Sequence, residues 1–142
     1  RVQVFDCNGT FQTAWGGNGS REGEFSSPYG ITIDGKGRII VADGGNQRVQ
    51  IFSPSGKFER SFGCIGNKDG QFFTPYGVAV DPAGRIIVAD HGNQRVQIFS
   101  EDGEFIAKFG AKGTGRGEFL NTGSVAVDSR GTIIVADPSN HR

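Results

Sequence analysis

The sequence has no methionine, one tryptophan, two histidines and two cysteines, and its formal net charge is zero. Each scarcity removes a class of protein. A balanced charge argues against a strongly basic nucleic-acid module and leaves only local patches to consider. Cys7 and Cys64 form no CxxC or Cys/His cluster, and no HExxH is present, so a zinc-finger reading fails. Two free thiols in a reducing compartment are expected. His91 and His141 sit on different turns, too few to converge on a metal, and no cofactor is expected. No Ser/His/Asp set or phosphate loop occurs, so no catalytic residue is assigned and the chain is not expected to be an enzyme. Neither an apolar run of about 18 residues nor a signal-peptide pattern occurs. A soluble, cytoplasmic protein without a membrane partner is the expectation. The chain opens inside a strand motif without Met, as an excised segment would.

Glycine (24) and phenylalanine (12) are abundant, which suits short strands joined by tight turns rather than helix bundles. The order behind this composition is a 47-residue repeat. Arg1-Val2-Gln3-Val4-Phe5 returns as Arg48-Val49-Gln50-Ile51-Phe52 and as Arg95-Val96-Gln97-Ile98-Phe99. The copies are 1–47, 48–94 and 95–141, and a fourth would open at Arg142. The first two agree at 24 of 47 positions, which fixes the register. A period of this length means a solenoid, a propeller or an array, because one unit cannot bury its own apolar face.

Within the middle copy, 77–81 alternates apolar and small residues, the period of a strand. Asp81-Pro82-Ala83-Gly84 is a turn, in which Pro presets φ and Gly supplies positive φ. The run 85–90 is continuously apolar between Arg85 and Asp90, as in a strand packed on both faces. Turns at 91–94 and 101–103 separate further strands at 95–99 and 104–110. Four antiparallel strands per repeat make a propeller blade. Phe25, Phe72 and Phe119 precede the first strand of their blades and are expected to plug the junctions between blades. Asp34, Asp81 and Asp128 are expected to form Asx turns. Asp43, Asp90 and Asp137 should pair as exposed intra-blade ion pairs with Arg48, Arg95 and Arg142, and Asn46, Asn93 and Asn140 should hold their own turns.

Gly-Arg-Ile-Ile-Val-Ala-Asp followed by Asn-Gln-Arg-Val-Gln-Ile-Phe resembles the NHL repeat, and Asn140-His141 keeps the first two letters of its signature. Pro28-Tyr29-Gly30, Pro75-Tyr76-Gly77 and the strand-closing Phe62-Gly63 and Phe109-Gly110 match as well. The resemblance covers the chain and is nearest to the propellers of tripartite-motif (TRIM-NHL) proteins. It implies an all-β, six-bladed ring. The ubiquitin-ligase activity of such proteins would need a RING, which these residues do not contain. Copy three departs from the pattern at Thr122-Gly123-Ser124, where Pro-Tyr-Gly is expected.

One chain holds three blades' worth of strands, with one blade split between 125–137 and 1–16. Rings have about 4 to 8 blades. A homodimer is therefore expected, closed by strand exchange between the two halves, with Arg142 of one copy and Arg1 of the other claiming one position.

Binding groups are sought on the loops of one face: 17–28, 64–75 and 111–122, with the turns 44–47, 91–94 and 138–141. That face carries Arg21, Lys68, Lys112 and Arg116, with Tyr29 and Tyr76 at its inner rim. Phosphates meet such cations while bases stack on such rings. The resemblance implies a single-stranded RNA site, carried to Tyr29, Tyr76, Arg21, Lys68, Lys112, Arg116 and His91. Glu22, Glu24, Asp69 and Glu118 lie in the same loops and oppose phosphate. A protein-interaction platform, or a self-assembling half-ring, is the alternative.

Overall fold

The computed structural model describes residues 1–141. Arg142, with its expected pairing to Asp137 and its contest with Arg1, lies outside the described residues. Twelve strands follow the repeat: β1 (Val2–Phe5), β2 (Phe11–Trp15), β3 (Pro28–Ile33), β4 (Ile39–Asp43), β5 (Arg48–Phe52), β6 (Phe58–Phe62), β7 (Pro75–Val80), β8 (Ile86–Asp90), β9 (Arg95–Phe99), β10 (Phe105–Phe109), β11 (Val125–Val127) and β12 (Ile133–Val135). Strands β3 to β6 form one four-stranded antiparallel sheet and β7 to β10 a second, while β1–β2 and β11–β12 are two-stranded. The innermost strand of the middle copy starts at Pro75, two residues before the alternating pattern suggests.

The continuous apolar strands are explained by where their two faces go. Ile40 and Ala42 of β4 pack with Val49, Ile51 and Phe72 into a core shared with the next sheet. Ile39 and Val41, on the other face, pack with Val2, Phe25 and Phe52 against the β1–β2 hairpin. A third core holds Ile87, Ala89 and Val96 against Val125. The apolar mass therefore lies between sheets, and burial of one such side chain stabilises by about 1.5–3 kcal/mol. Phe25 and Phe72 are buried plugs in these junctions, and Phe119 packs against the third, as expected.

Asp34, Asp81 and Asp128 do form Asx turns. Asp81 Oδ1 accepts from the N–H groups of Ala83 (3.0 Å) and Arg85 (2.9 Å), and Asp34 and Asp128 accept equivalent pairs. The Asp–Arg pairs differ from expectation in their surroundings. Asp43 and Asp90 lie opposite Arg48 and Arg95 across paired strands, but both carboxylates are fully buried. The reason is the long loop that folds over them. Asp90 accepts from Phe73 N (2.8 Å), Asn93 Nδ2 (2.9 Å), Arg95 Nε (2.8 Å) and Gln97 Nε2 (3.2 Å). Four donors satisfy a charge that would otherwise be costly to bury. Asn46 and Asn93 likewise reach beyond their own turns, donating to Gly19 O (2.8 Å) and Gly66 O (2.9 Å) of the loops above.

Among the described residues no helix is long and apolar enough to cross a membrane. Cys7 and Cys64 are free and exposed.

Candidate functional site: a stacked rim on the loop-bearing face

The latch just described fixes the loop-bearing face. Arg95 donates to the carbonyls of Asn67 (2.8 Å), Lys68 (2.9 Å) and Gln71 (2.8 Å), and Gln97 donates to Gln71 O (2.7 Å). The first complete sheet repeats this with Arg48 and Gln50 on the loop around Arg21 to Glu24. These two long loops are thus bonded from beneath by the strand that lies second from the outer edge of each four-stranded sheet. These bonds engage the backbone carbonyls of the loops.

At the inner rim, glycine decides the geometry. A Cβ at Gly30 would lie 2.5 Å from Tyr76 O and 3.0 Å from Gly77 Cα. Only a residue without a side chain allows β3 and β7 to approach backbone to backbone. This approach carries the preceding tyrosines together. Tyr29 and Tyr76 stack with ring centroids 4.4 Å apart and planes at 19°. Gly44 supports the arrangement, because a Cβ there would sit 2.6 Å from the Tyr29 ring. His91 occupies the equivalent place in the next copy, 5.7 Å from the Tyr76 ring, with Nδ1 3.3 Å from Thr122 O. The tyrosines are 46% and 38% exposed in the single chain.

Three of the seven candidate residues therefore form one cluster: Tyr29, Tyr76 and His91. The four cations lie farther out on the loops. Arg21 O accepts from Arg48 at the start of β5, two strands outward from β3 and so about 10 Å across the sheet. Arg21 is also engaged with Glu24 (2.8 Å), whose carboxyl the Arg21 hydrogen bond holds below its ordinary pKa. Asp69 pairs with Lys108. Lys68, Lys112 and Arg116 are exposed and have no side-chain partner among the described residues. Sequence reasoning missed Asn121 and Thr122. Asn121 lines a cavity beside Tyr76, whereas the Thr122 hydroxyl, outside that lining, is buried without a hydrogen-bond partner among the described residues. The departure of copy three from Pro-Tyr-Gly was the available signal.

The opposite mouth is chemically different. A larger cavity, about 590 Å³, opens among the turns of Asp34, Asp81 and Asp128. Those carboxylates are held by their own turns and, for Asp34 and Asp81, by Arg38 (2.7 Å) and Arg85 (2.6 Å). Three acids around one opening disfavour a phosphate or carboxylate ligand. Among the described residues, no three His, Cys, Asp or Glu side chains gather as a metal-holding group.

Comparison with known proteins agrees with this architecture. A family model described as 6-bladed beta-propeller matches residues 79–141, and one described as NHL repeat matches residues 25–52. No curated protein matches the chain. Among solved structures, a streptogramin B lyase superposes with a TM-score of 0.68 at 14% identity, over 97% of this chain and 41% of that one. A catalytically inactive virginiamycin B lyase from Staphylococcus aureus with quinupristin gives 0.60 at 19% identity, over 79% of this chain and 35% of that one. The hydrazine synthase of Kuenenia stuttgartiensis gives 0.62 at 14% identity, over 82% and 30%. At these identities the likeness is one of fold, and the chain spans at most 41% of these structures. Together the matches and the sheets identify an all-β, NHL-type propeller segment.

Proposed function

We propose that this chain is a non-catalytic, cytoplasmic binding scaffold of the TRIM-NHL kind, whose loop-bearing face takes single-stranded RNA. The observation that carries the reading is the half-exposed Tyr29–Tyr76 stack, with His91 beside it and the unpaired Lys68, Lys112 and Arg116 on the loops above. Aromatic faces hold unpaired bases in a sequence-tolerant way, and loop cations hold the phosphates between them. A protein-interaction platform is the competing reading, favoured by Glu22 and Glu118 in the same loops. Salt separates the two. Three phosphate contacts on a single strand give a slope near −2, so affinity should fall about 20-fold between 50 and 200 mM salt. Binding anchored by apolar contacts would weaken little.

The scaffold reading includes a second copy of the chain. β1–β2 and β11–β12 are each half of a four-stranded sheet, and the complete blades supply the register that would join them. Ala42 lies opposite Val49 and Ile40 opposite Ile51. By repeat equivalence Ala136 of one copy would lie opposite Val2 of the other, and Ile134 opposite Val4. Ile31 and Ile33 are 53% and 65% exposed, whereas the equivalent Val78 is 6% exposed under its neighbouring blade. A mass near twice 15.1 kDa by light scattering would support this closure. A monomer across a dilution series would overturn it and leave the apolar face for other blades.

A further inference from the structure

The third copy of the rim lacks its tyrosine. Tyr29, Tyr76 and Gly123 are repeat equivalents, and the first two form a stack that runs toward the third. Where a third ring would continue the stack, the structure has a cavity of about 280 Å³. Tyr76, His91, Asn121, Gly123, Ser124 and Pro138 line it.

Resting on the RNA-binding reading above, we infer that this cavity is a subsite for one unpaired nucleobase, which stacks on Tyr76 in the place of the absent tyrosine. Four observations support it. Tyr76 is already held parallel to Tyr29 on one side, so its ring presents a fixed face rather than a mobile one. The Nδ1 of His91 lies 3.3 Å from Thr122 O, which turns the imidazole toward the cavity wall and ties that wall to the third copy. Asn121 uses its backbone N–H on Asp137 (3.0 Å), while its side-chain amide has no hydrogen-bond partner among the described residues. An amide offers both donor and acceptor to a base edge. Lys112 and Arg116 lie on the loop that leads into Asn121, so the strand's phosphates have cations along the same approach.

Gly123 is the position on which the subsite depends. Its φ lies outside the left-handed range that favours glycine, and a Cβ there would meet Pro138 at 3.3 Å. A side chain is therefore tight but not forbidden, and it would enter the cavity.

The test uses an eight-nucleotide single-stranded RNA containing one 2-aminopurine, whose fluorescence is quenched when it stacks on an aromatic ring. Bound to the unaltered chain, the probe should be quenched. Gly123→Tyr should relieve the quenching and weaken binding at least about fivefold, the lower end for loss of one stacked base. Asn121→Ala, which removes no hydrogen bond of the fold, should weaken binding in the same direction and guards against a misfolded Gly123 variant. Unchanged quenching and affinity in both variants, with binding still lost in Tyr29→Ala, would overturn the subsite and leave the RNA reading standing. No binding by the unaltered chain would overturn both. Binding with no quenching would also overturn the subsite, as expected if the cavity takes an aromatic side chain of a protein.

Discussion

Tyr76 and Gly123 stand at the same place in adjacent copies of one repeat, yet they make opposite surfaces. Around Tyr76 the rim is filled: a ring stacked at 4.4 Å, a histidine at its edge, and Gly77 admitting the next strand. Around Gly123 it is hollow, lined by the Asn121 amide, Ser124 and Pro138. The frame beneath both is the same. Asp90 and Asp137 are both buried, and each accepts the backbone N–H of the residue seventeen or sixteen positions earlier. Blade construction and rim chemistry are therefore separable: the latch residues build the loop, and the rim positions are free to differ between copies.

The largest effect should come from removing the shared frame. Asp90→Ala leaves Arg95 and Gln97 without their buried acceptor. It should cost about 3–5 kcal/mol of unfolding free energy in denaturant titration, the range for one partner of a buried ion pair. A loss below about 1 kcal/mol would mean that the latch is ornamental. Next is the approach between the two rims. A Cβ at Gly77 would lie 2.7 Å from Gly123 O and 2.8 Å from Val125 N, both rigid backbone atoms. Gly77→Ala should therefore destabilise by about 1–3 kcal/mol through overpacking, and it should disturb β11 more than β3, readable by amide exchange. Tyr76→Ala should act on function rather than on stability. RNA affinity should fall by about 1–3 kcal/mol for the lost stacking, with the melting temperature nearly unchanged because the ring is 38% exposed. Equal loss of stability would mark Tyr76 as structural.

The smallest effect concerns the opposite face. Burial raises the Asp34 carboxyl, but the Arg38 guanidinium and the N–H groups of Arg38 and Lys36 outweigh it and leave its pKa below the ordinary value. Asp128 is lowered chiefly by the Thr132 N–H. A depressed acid contributes stability above its unfolded pKa and loses it as pH falls through the folded one. Stability from these turns should therefore be flat from neutrality to about pH 5 and decline below about pH 4, leaving the rim stack unaffected. Asp34→Asn should flatten that decline in an acid melting series.

Much of the fold was legible because the repeat carries its own register. Strand positions, turn chemistry and the phenylalanine plugs follow from periodicity and from the residue types that turns require. The burial of Asp43 and Asp90 was not legible. It depends on a loop from earlier in the chain folding over them, which local pairing of Asp with Arg cannot reveal. For the site, the sequence placed Tyr29 and Tyr76 at the inner rim through the repeated Pro-Tyr-Gly, and His91 only on a turn of the same face; its approach to Tyr76 needed coordinates. The cations were placed on the right loops, but their radial distance and the engagement of Arg21 with Glu24 needed coordinates. Asn121 escaped notice because it carries neither charge nor aromaticity. Its meaning comes from what Gly123 fails to fill.

The most direct measurement is the affinity of a short single-stranded RNA for the unaltered chain and for a Tyr29→Ala/Tyr76→Ala double variant, at 50 and 200 mM salt. A salt-sensitive complex in the unaltered chain, lost at both salts in a double variant of unchanged melting temperature, is the predicted result. Equal affinity in the two proteins, or no salt-sensitive complex at all, would contradict the assignment of this rim as a nucleic-acid site.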